Sequence, residues 1–244
     1  MTNKLIVALD VDTDQRATEL CAQLHGLVGM FKIGAQLFTA AGPDLVREIV
    51  GSGERVFLDL KFHDIPNTVA AAAIEATRLG VSLFNIHAMG GSEMMRRAAD
   101  AVSECAQAEG RRRPQVIAVT ALTSANAIAL SEVGYAGTPA ELVTRLAALA
   151  AAAGMDGVVA SPQEISQIRA AVTKPDFIIV TPGVRPAGAN PFDQKRVTTP
   201  SEAIQAGADY IVVGRPILES PDPVRAARQI LDEIEMSAAN TASI

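Results

Sequence analysis

The chain has 244 residues, 49% of them hydrophobic and 20% charged, with a formal net charge of −6. This is the composition of a globular protein long enough to bury a sizeable core. With no Trp, two Tyr and no basic cluster beyond Arg111-Arg112-Arg113, it argues against a nucleic-acid surface, which needs basic stripes and aromatic platforms.

The first apolar run, "LIVAL" at 5–9, is too short for a signal-peptide core, and the stretch from Ile33 to Pro43 falls far short of a membrane span. No membrane association is expected. Cys21 and Cys105 lie in helix-like stretches and read as packed thiols in a reducing compartment, so the expected location is the cytoplasm.

The predicted strands, in chain order, cover 5–9, 30–34, 56–62, 83–88, 115–122, 157–161, 177–183 and 210–214. Each is a short run rich in Val, Ile, Leu or Phe. Ala-, Glu- and Arg-rich segments of helical spacing lie between them, such as "TVAAAAIEATRLG" and "PAELVTRLAALAAAAG". Strands that alternate with helices imply parallel βαβ units.

Three helix ends repeat one device, a glycine followed two residues later by a strand. Gly80, Gly154 and Gly207 fit the left-handed position just past a helix end. Eight such units in a chain of this length predict a (β/α)₈ TIM barrel, expected as one domain over 1–236 with a frayed polar tail over 237–244. A doubly wound open sheet is the alternative. Against it, no Gly-x-Gly-x-x-Gly follows the first strand, where "ALDVDTDQ" stands instead.

Polar residues gather at the strand ends. On strand three, period-two alternation turns Leu58, Leu60 and Phe62 outward beneath helices and Phe57, Asp59 and Lys61 inward. Asp59 and Lys61 then stand at the C-terminal mouth, where barrel active sites are built. Strand one ends in Asp10, and strand two carries Lys32 between apolar residues.

An interior ion-pair network is the plain alternative, but charges from three strands at one end favour a site over a network that desolvation would weaken. Asp64 precedes Pro66 and has two readings, a helix cap or a site carboxylate. His63 reads as a loop residue and His87 as a polar lining residue.

Strand eight ends in Gly214-Arg215. In barrels the loops after strands seven and eight often hold a phosphate. A glycine lets backbone N–H groups approach an anion, and an arginine adds a charged fork. The long loop after strand seven, "GVRPAGANPFDQKRVTTP", brings Arg185, Gln194, Lys195 and Arg196 and reads as a lid. No Cys/His metal spacing appears.

These residues also carry a family resemblance. "DLKFHDIPNTV" from Asp59 resembles the signature of the orotidine 5′-phosphate decarboxylases. "VALD" (7–10), "FKIG" (31–34), "VTALTS" (119–124), "TPGVRP" (181–186) and "VVGRPI" (212–217) stand in that family's order.

The resemblance implies decarboxylation of orotidine 5′-phosphate to UMP and CO₂ with no cofactor and no metal. It makes Lys61 the proton donor within a charged array of Lys32, Asp59, Lys61 and Asp64. It further implies a homodimer in which Asp64 and Thr68 enter the neighbour's site. Asp10 and Lys32 then hold the ribose, and Thr123 and Ser124 lie by the pyrimidine. Gln194 bridges base and phosphate, and Arg185, Gly214 and Arg215 grip the phosphate.

Metal-dependent sugar-phosphate decarboxylases and aldolases are similar in the Asp-x-Lys-x-x-Asp segment but carry a Mg²⁺-binding Glu on strand two. Here Lys32 stands there, and an ammonium has no lone pair to coordinate a cation. A non-catalytic sensor of phosphorylated ligands would have no use for the Lys/Asp array.

Overall fold

The computed structural model describes residues 3–123, 125–186 and 198–241, with side chains to 236. Eight strands close into a barrel in sequence order. They are β1 (Leu5–Ala8), β2 (Met30–Gly34), β3 (Val56–Phe62), β4 (Leu83–His87), β5 (Gln115–Val119), β6 (Gly157–Val159), β7 (Ile178–Thr181) and β8 (Tyr210–Val213). All neighbours pair in parallel, and β8 closes on β1 through Val213 opposite Val7. The predicted (β/α)₈ barrel is the observed fold, and the open sheet is excluded by that closure.

The helices are α1 (Asp14–Gln23), α2 (Ala35–Gly51), α3 (Pro66–Arg78), α4 (Gly91–Ala108), α5 (Ala127–Glu132), α6 (Pro139–Ala152), α7 (Ile165–Ala171), α8 (Pro200–Gln205), α9 (Arg215–Leu218) and α10 (Pro223–Thr241). Two of them, α5 and α9, are short, and α9 occupies the segment after β8 that the sequence reading treats as loop. The backbone of α10 runs on through Thr241, inside the segment read as tail. No helix among the described residues is long and apolar enough to cross a membrane.

Strand alternation divides the apolar residues into two layers. Ile6, Ala8, Met30, Phe57, Leu83, Ile117, Ile178, Val180, Tyr210 and Val212 fill the barrel interior. Their outward neighbours, among them Val7, Phe31, Leu58 and Phe84, pack under the helices. Phe31, Phe57 and Phe84 are almost wholly buried, and each such burial stabilises the fold by about 1.5–3 kcal/mol.

Gly80, Gly154 and Gly207 have φ of 79°, 87° and 107°, as expected for left-handed residues after a helix. Gly157 answers to a different need. A Cβ there would lie 2.1 Å from the carbonyl oxygen of Ile178, so β6 and β7 approach closely only because the position is bare.

Thr138 with Glu141 and Thr199 with Glu202 form capping boxes at α6 and α8. The Thr backbone and hydroxyl bonds hold both exposed carboxylates below the ordinary glutamate range.

Several strands stop short of their expected ends. Residues 120–122 and 160–161 lie past the last paired residues of β5 and β6, with Thr120 and Ala160 each keeping one backbone bond to the next strand. After β7, Pro182 has no N–H for the ladder and Gly183 turns left-handed at φ 79°, so the strand stops at Thr181. Arg111, Arg112 and Arg113 lie in the loop before β5, where Arg111 pairs with Glu109 and Arg113 with Asp156. Both cysteines are free and buried. Burial, reinforced by Glu54 and Glu48, pushes the Cys21 thiol up to about 12.

Candidate active site

The site lies one step above the apolar filling of the barrel. Two residues beyond interior Ala8, Met30, Phe57 and Leu83 come Asp10, Lys32, Asp59 and Asn85. Period-two alternation therefore stacks a polar layer on an apolar one at the C-terminal end.

Asp59 is the hub. Its Oδ1 accepts from Lys61 Nζ at 2.6 Å and from Asn85 Nδ2 at 2.7 Å. Its Oδ2 lies 3.5 Å from Lys32 Nζ. Lys32 Nζ also donates to Asp10 Oδ1 at 3.1 Å. The chain Asp10–Lys32–Asp59–Lys61 thus alternates carboxylate and ammonium.

Burial varies along this chain. The Lys32 and Asp59 side chains are 11% and 14% exposed, whereas those of Lys61 and Asp10 reach 39% and 56%. The inner pair is the more buried, and the outer groups are the more open to solvent. Gly34 leaves room for this, since a Cβ there would stand 3.1 Å from Lys32 Nζ.

Burial is the largest single influence on Asp59 and works against its charge. Lys32 and Lys61, with the hydrogen bonds from Lys61 and Asn85, together outweigh it and hold the carboxyl below its ordinary value. The pairing therefore contributes stability at neutral pH that is lost only as pH falls through that lowered value.

Lys61 is in place for a reason that alternation alone misses. Its φ is +53°, left-handed for a residue with a Cβ, at a cost of about 1–2 kcal/mol. The β3–β4 pairing runs Leu58 to Phe84 and resumes at Phe62 to Ile86, so β3 uses four steps where β4 uses two. The bulge re-aims Lys61 while Leu60 and Phe62 still pack against the outer core.

Asn85, passed over in the sequence, bridges this irregularity. Its Oδ1 accepts the Lys61 backbone N–H at 2.8 Å. The available signal was a lone amide of inward parity in the apolar run "LFNIH".

The remaining predicted residues divide. Asp64 and Thr68 are exposed, and neither bonds to the charged cluster of its own chain. Asp64 Oδ1 accepts the N–H of Ile65 at 2.6 Å. The reading of Asp64 as a cap is corrected: Ile65 is the residue at the N-cap of α3, and no side chain caps that helix.

Gly214 lies beside Asp10, because barrel closure sets the end of β8 against the end of β1. A Cβ on it would come 3.4 Å from Asp10 Oδ2. Arg215 follows as the first residue of α9. Arg185 is buried at the foot of the long loop, and its Nη1 donates to the Val184 carbonyl at 3.0 Å. Thr123 is half-buried in the loop after β5, near Ser161 and Glu164. Ser124 and Gln194 lie outside the described residues, as do Lys195 and Arg196.

His63 and His87 face each other with ring centroids 5.3 Å apart and planes at 31°. Burial, then His63 and Lys61, hold the His87 imidazole below its ordinary value.

Fold and site together define a lyase-type barrel: an ammonium held at the mouth by the buried carboxylate of Asp59, with the Gly-Arg end of β8 beside Asp10. The comparisons narrow this class. Residues 3–230 match the model of the orotidine 5′-phosphate decarboxylase / HUMPS family.

Among curated relatives, the orotidine 5′-phosphate decarboxylase of Syntrophotalea carbinolica is 57% identical over 231 residues, covering 95% of this chain and 94% of that one. The enzyme of the same name from Moorella thermoacetica is 56% identical over 235 residues, covering 96% and 93%. A crystal structure of orotidine 5′-phosphate decarboxylase from Lactobacillus acidophilus superposes with a TM-score of 0.84 at 37% identity, covering 95% of this chain and 99% of that chain. The chain belongs to the orotidine 5′-phosphate decarboxylase / HUMPS family.

Proposed function

We propose that this protein is a carboxy-lyase that converts orotidine 5′-phosphate to UMP and CO₂ in pyrimidine biosynthesis, without cofactor or metal. The observation that carries this reading is Asp59 held between two ammonium groups, Lys32 on one oxygen and Lys61 on the other. In the metal-dependent sisters strand two offers a carboxylate to Mg²⁺. Here it offers Lys32, whose ammonium is already bonded to Asp10.

Loss of CO₂ from C6 leaves a carbanion. A charged Lys61 beside that carbon stabilises the developing negative charge and then protonates it. Asp59 Oδ1, bonded to Lys61 Nζ at 2.6 Å, holds that ammonium at the mouth of the barrel. Asp10 and Lys32 hold the ribose, and Thr123 and Ser124 border the pyrimidine. Gln194 bridges base and phosphate, while Arg185, Gly214 and Arg215 bind the phosphate. Binding energy from that non-reacting group closes the long loop and orders the charged array.

The partner subunit's Asp64 and Thr68 complete each site in a homodimer. Two features support this. Asp64 makes no bond to its own cluster, and the apolar side chains Ile65 and Met89, at the starts of neighbouring helices on the mouth side, are 66% and 51% exposed. Large apolar side chains left open beside a site suit an interface.

The direct test is the fall in absorbance as orotidylate is consumed. EDTA-treated protein is expected to keep full activity, with no gain on adding Mg²⁺. Activity abolished by EDTA and restored by Mg²⁺ would place the protein with the metal-dependent sisters instead.

Arg215→Ala tests the phosphate end. A charged hydrogen bond lost from the phosphate lowers kcat/KM by about 10- to 100-fold. The residual activity on unphosphorylated orotidine should not change. Equal losses on both substrates would show that Arg215 does not bind the phosphate.

A further inference from the structure

We infer that Asn85 is a positioning residue for the reaction, holding the Lys61 backbone and the Asp59 carboxylate in one rigid unit so that the ammonium is aimed from a fixed point. The inference rests on the decarboxylase reading above and extends it to a residue outside the charged array.

Three observations carry it. First, β3 bulges against β4 between Leu58 and Phe62, so backbone groups there lose their ladder partners. Asn85 Oδ1 replaces one of them by accepting the N–H of Lys61 at 2.8 Å. Second, the same amide donates from Nδ2 to Asp59 Oδ1 at 2.7 Å, on the oxygen that also takes Lys61 Nζ at 2.6 Å. Third, Asn85 is 1% exposed on a central strand, paired opposite Ile117 of β5, and cannot swing away.

The residue type follows from the two partners. A backbone N–H needs an acceptor and a carboxylate needs a donor. An amide offers both from one planar group, and Gln would be one methylene too long for this gap. An Asp could accept but not donate, and an apolar residue could do neither. The left-handed φ of Lys61 persists because its neighbours hold it, and the Asn85 side chain bonds to the backbone of the strained residue, where Asp59 bonds to its ammonium.

The charged and titratable groups around this unit are Asp10 from the end of β1, Lys32 from β2, Asp59 and Lys61 from β3, His63 beyond it and His87 from β4. Removing the Nδ2 donor takes away one of the bonds that favour ionised Asp59, so its titration moves to higher pH. Replacing Asn85 by Asp sets a second carboxylate against the first. The two then share a proton, and the titration moves further up.

The test compares Asn85→Ala, which loses both bonds, with Asn85→Asp, which keeps the shape and the acceptor. Wild-type turnover of orotidylate is measured first; its absence would defeat the decarboxylase reading and not this inference alone. With the wild type active, both variants should lose about 10- to 100-fold in kcat, the scale of hydrogen bonds to charged groups. KM and the affinity for UMP should stay within about threefold, since these bonds aim the ammonium and do not touch the phosphate or base. The acid limb of the kcat profile should rise in the order wild type, Asn85→Ala, Asn85→Asp.

A kcat within about threefold of wild type in both variants would overturn the inference. So would equal losses of turnover and UMP affinity with an unmoved acid limb, which marks a general loosening of the site. Should Asn85→Ala fail to fold, Asn85→Asp carries the same comparison. Unfolding of both would make Asn85 a residue of the fold and end the argument.

Discussion

Lys61→Ala is expected to abolish turnover while leaving the barrel and its product site in place. General acid catalysis is worth about 10²–10⁴-fold and the stabilisation of developing charge by one donor about 10²–10³-fold, and here one ammonium supplies both. A loss of about 10⁴-fold or more in kcat follows.

The fold should tolerate the change. Asp59 keeps its contact with Lys32 at 3.5 Å and its bond from Asn85 at 2.7 Å, so its charge is not left alone in the barrel. Alanine also keeps the Cβ that makes the left-handed backbone costly at this position, and the bulge that imposes it belongs to the β3–β4 pairing. UMP affinity by calorimetry and the midpoint of thermal unfolding should therefore stay close to wild type. A variant even a tenth as active as the wild type would move the proton donor elsewhere.

Mixing two inactive variants should restore activity. Asp64 lies beyond the end of β3, exposed, and among the described residues its carboxylate is bonded to the N–H of the next residue alone. Pro66 then redirects the chain into α3. If Asp64 enters the neighbour's site, each site of a two-fold dimer takes Lys61 from one chain and Asp64 from the other.

Lys61→Ala and Asp64→Ala are combined in equal amounts and allowed to exchange subunits. In a mixed dimer one site inherits both lesions and the other neither. Random exchange makes about half the dimers mixed, so activity should rise toward about a quarter of the wild-type value. No recovery, with exchange demonstrated by mass spectrometry, would mean that Asp64 serves its own chain.

The barrel was legible in the sequence because its signals are local. Eight short apolar runs and the glycines at 80, 154 and 207 each reflect backbone preferences acting over a few residues. Lys32, Asp59 and Lys61 were legible for a related reason: charge inside an apolar strand is costly unless another strand answers it.

What the sequence could not decide depends on groups far apart along the chain. Whether β5 ends at 119 or 122 is set by how far β6 extends beside it, not by the side chains of β5. The alternation that placed Lys61 beside Asp59 gave no hint of the bulge, which arises only when β3 and β4 are paired out of step. The cap reading of Asp64 looked as good as any other until the start of α3 put Ile65 at the cap position. Asn85 is one amide in a strand when read along the chain. It joins the site only because pairing β4 beside β3 brings its two polar atoms, 24 and 26 positions away in sequence, within hydrogen-bonding distance of Lys61 and Asp59.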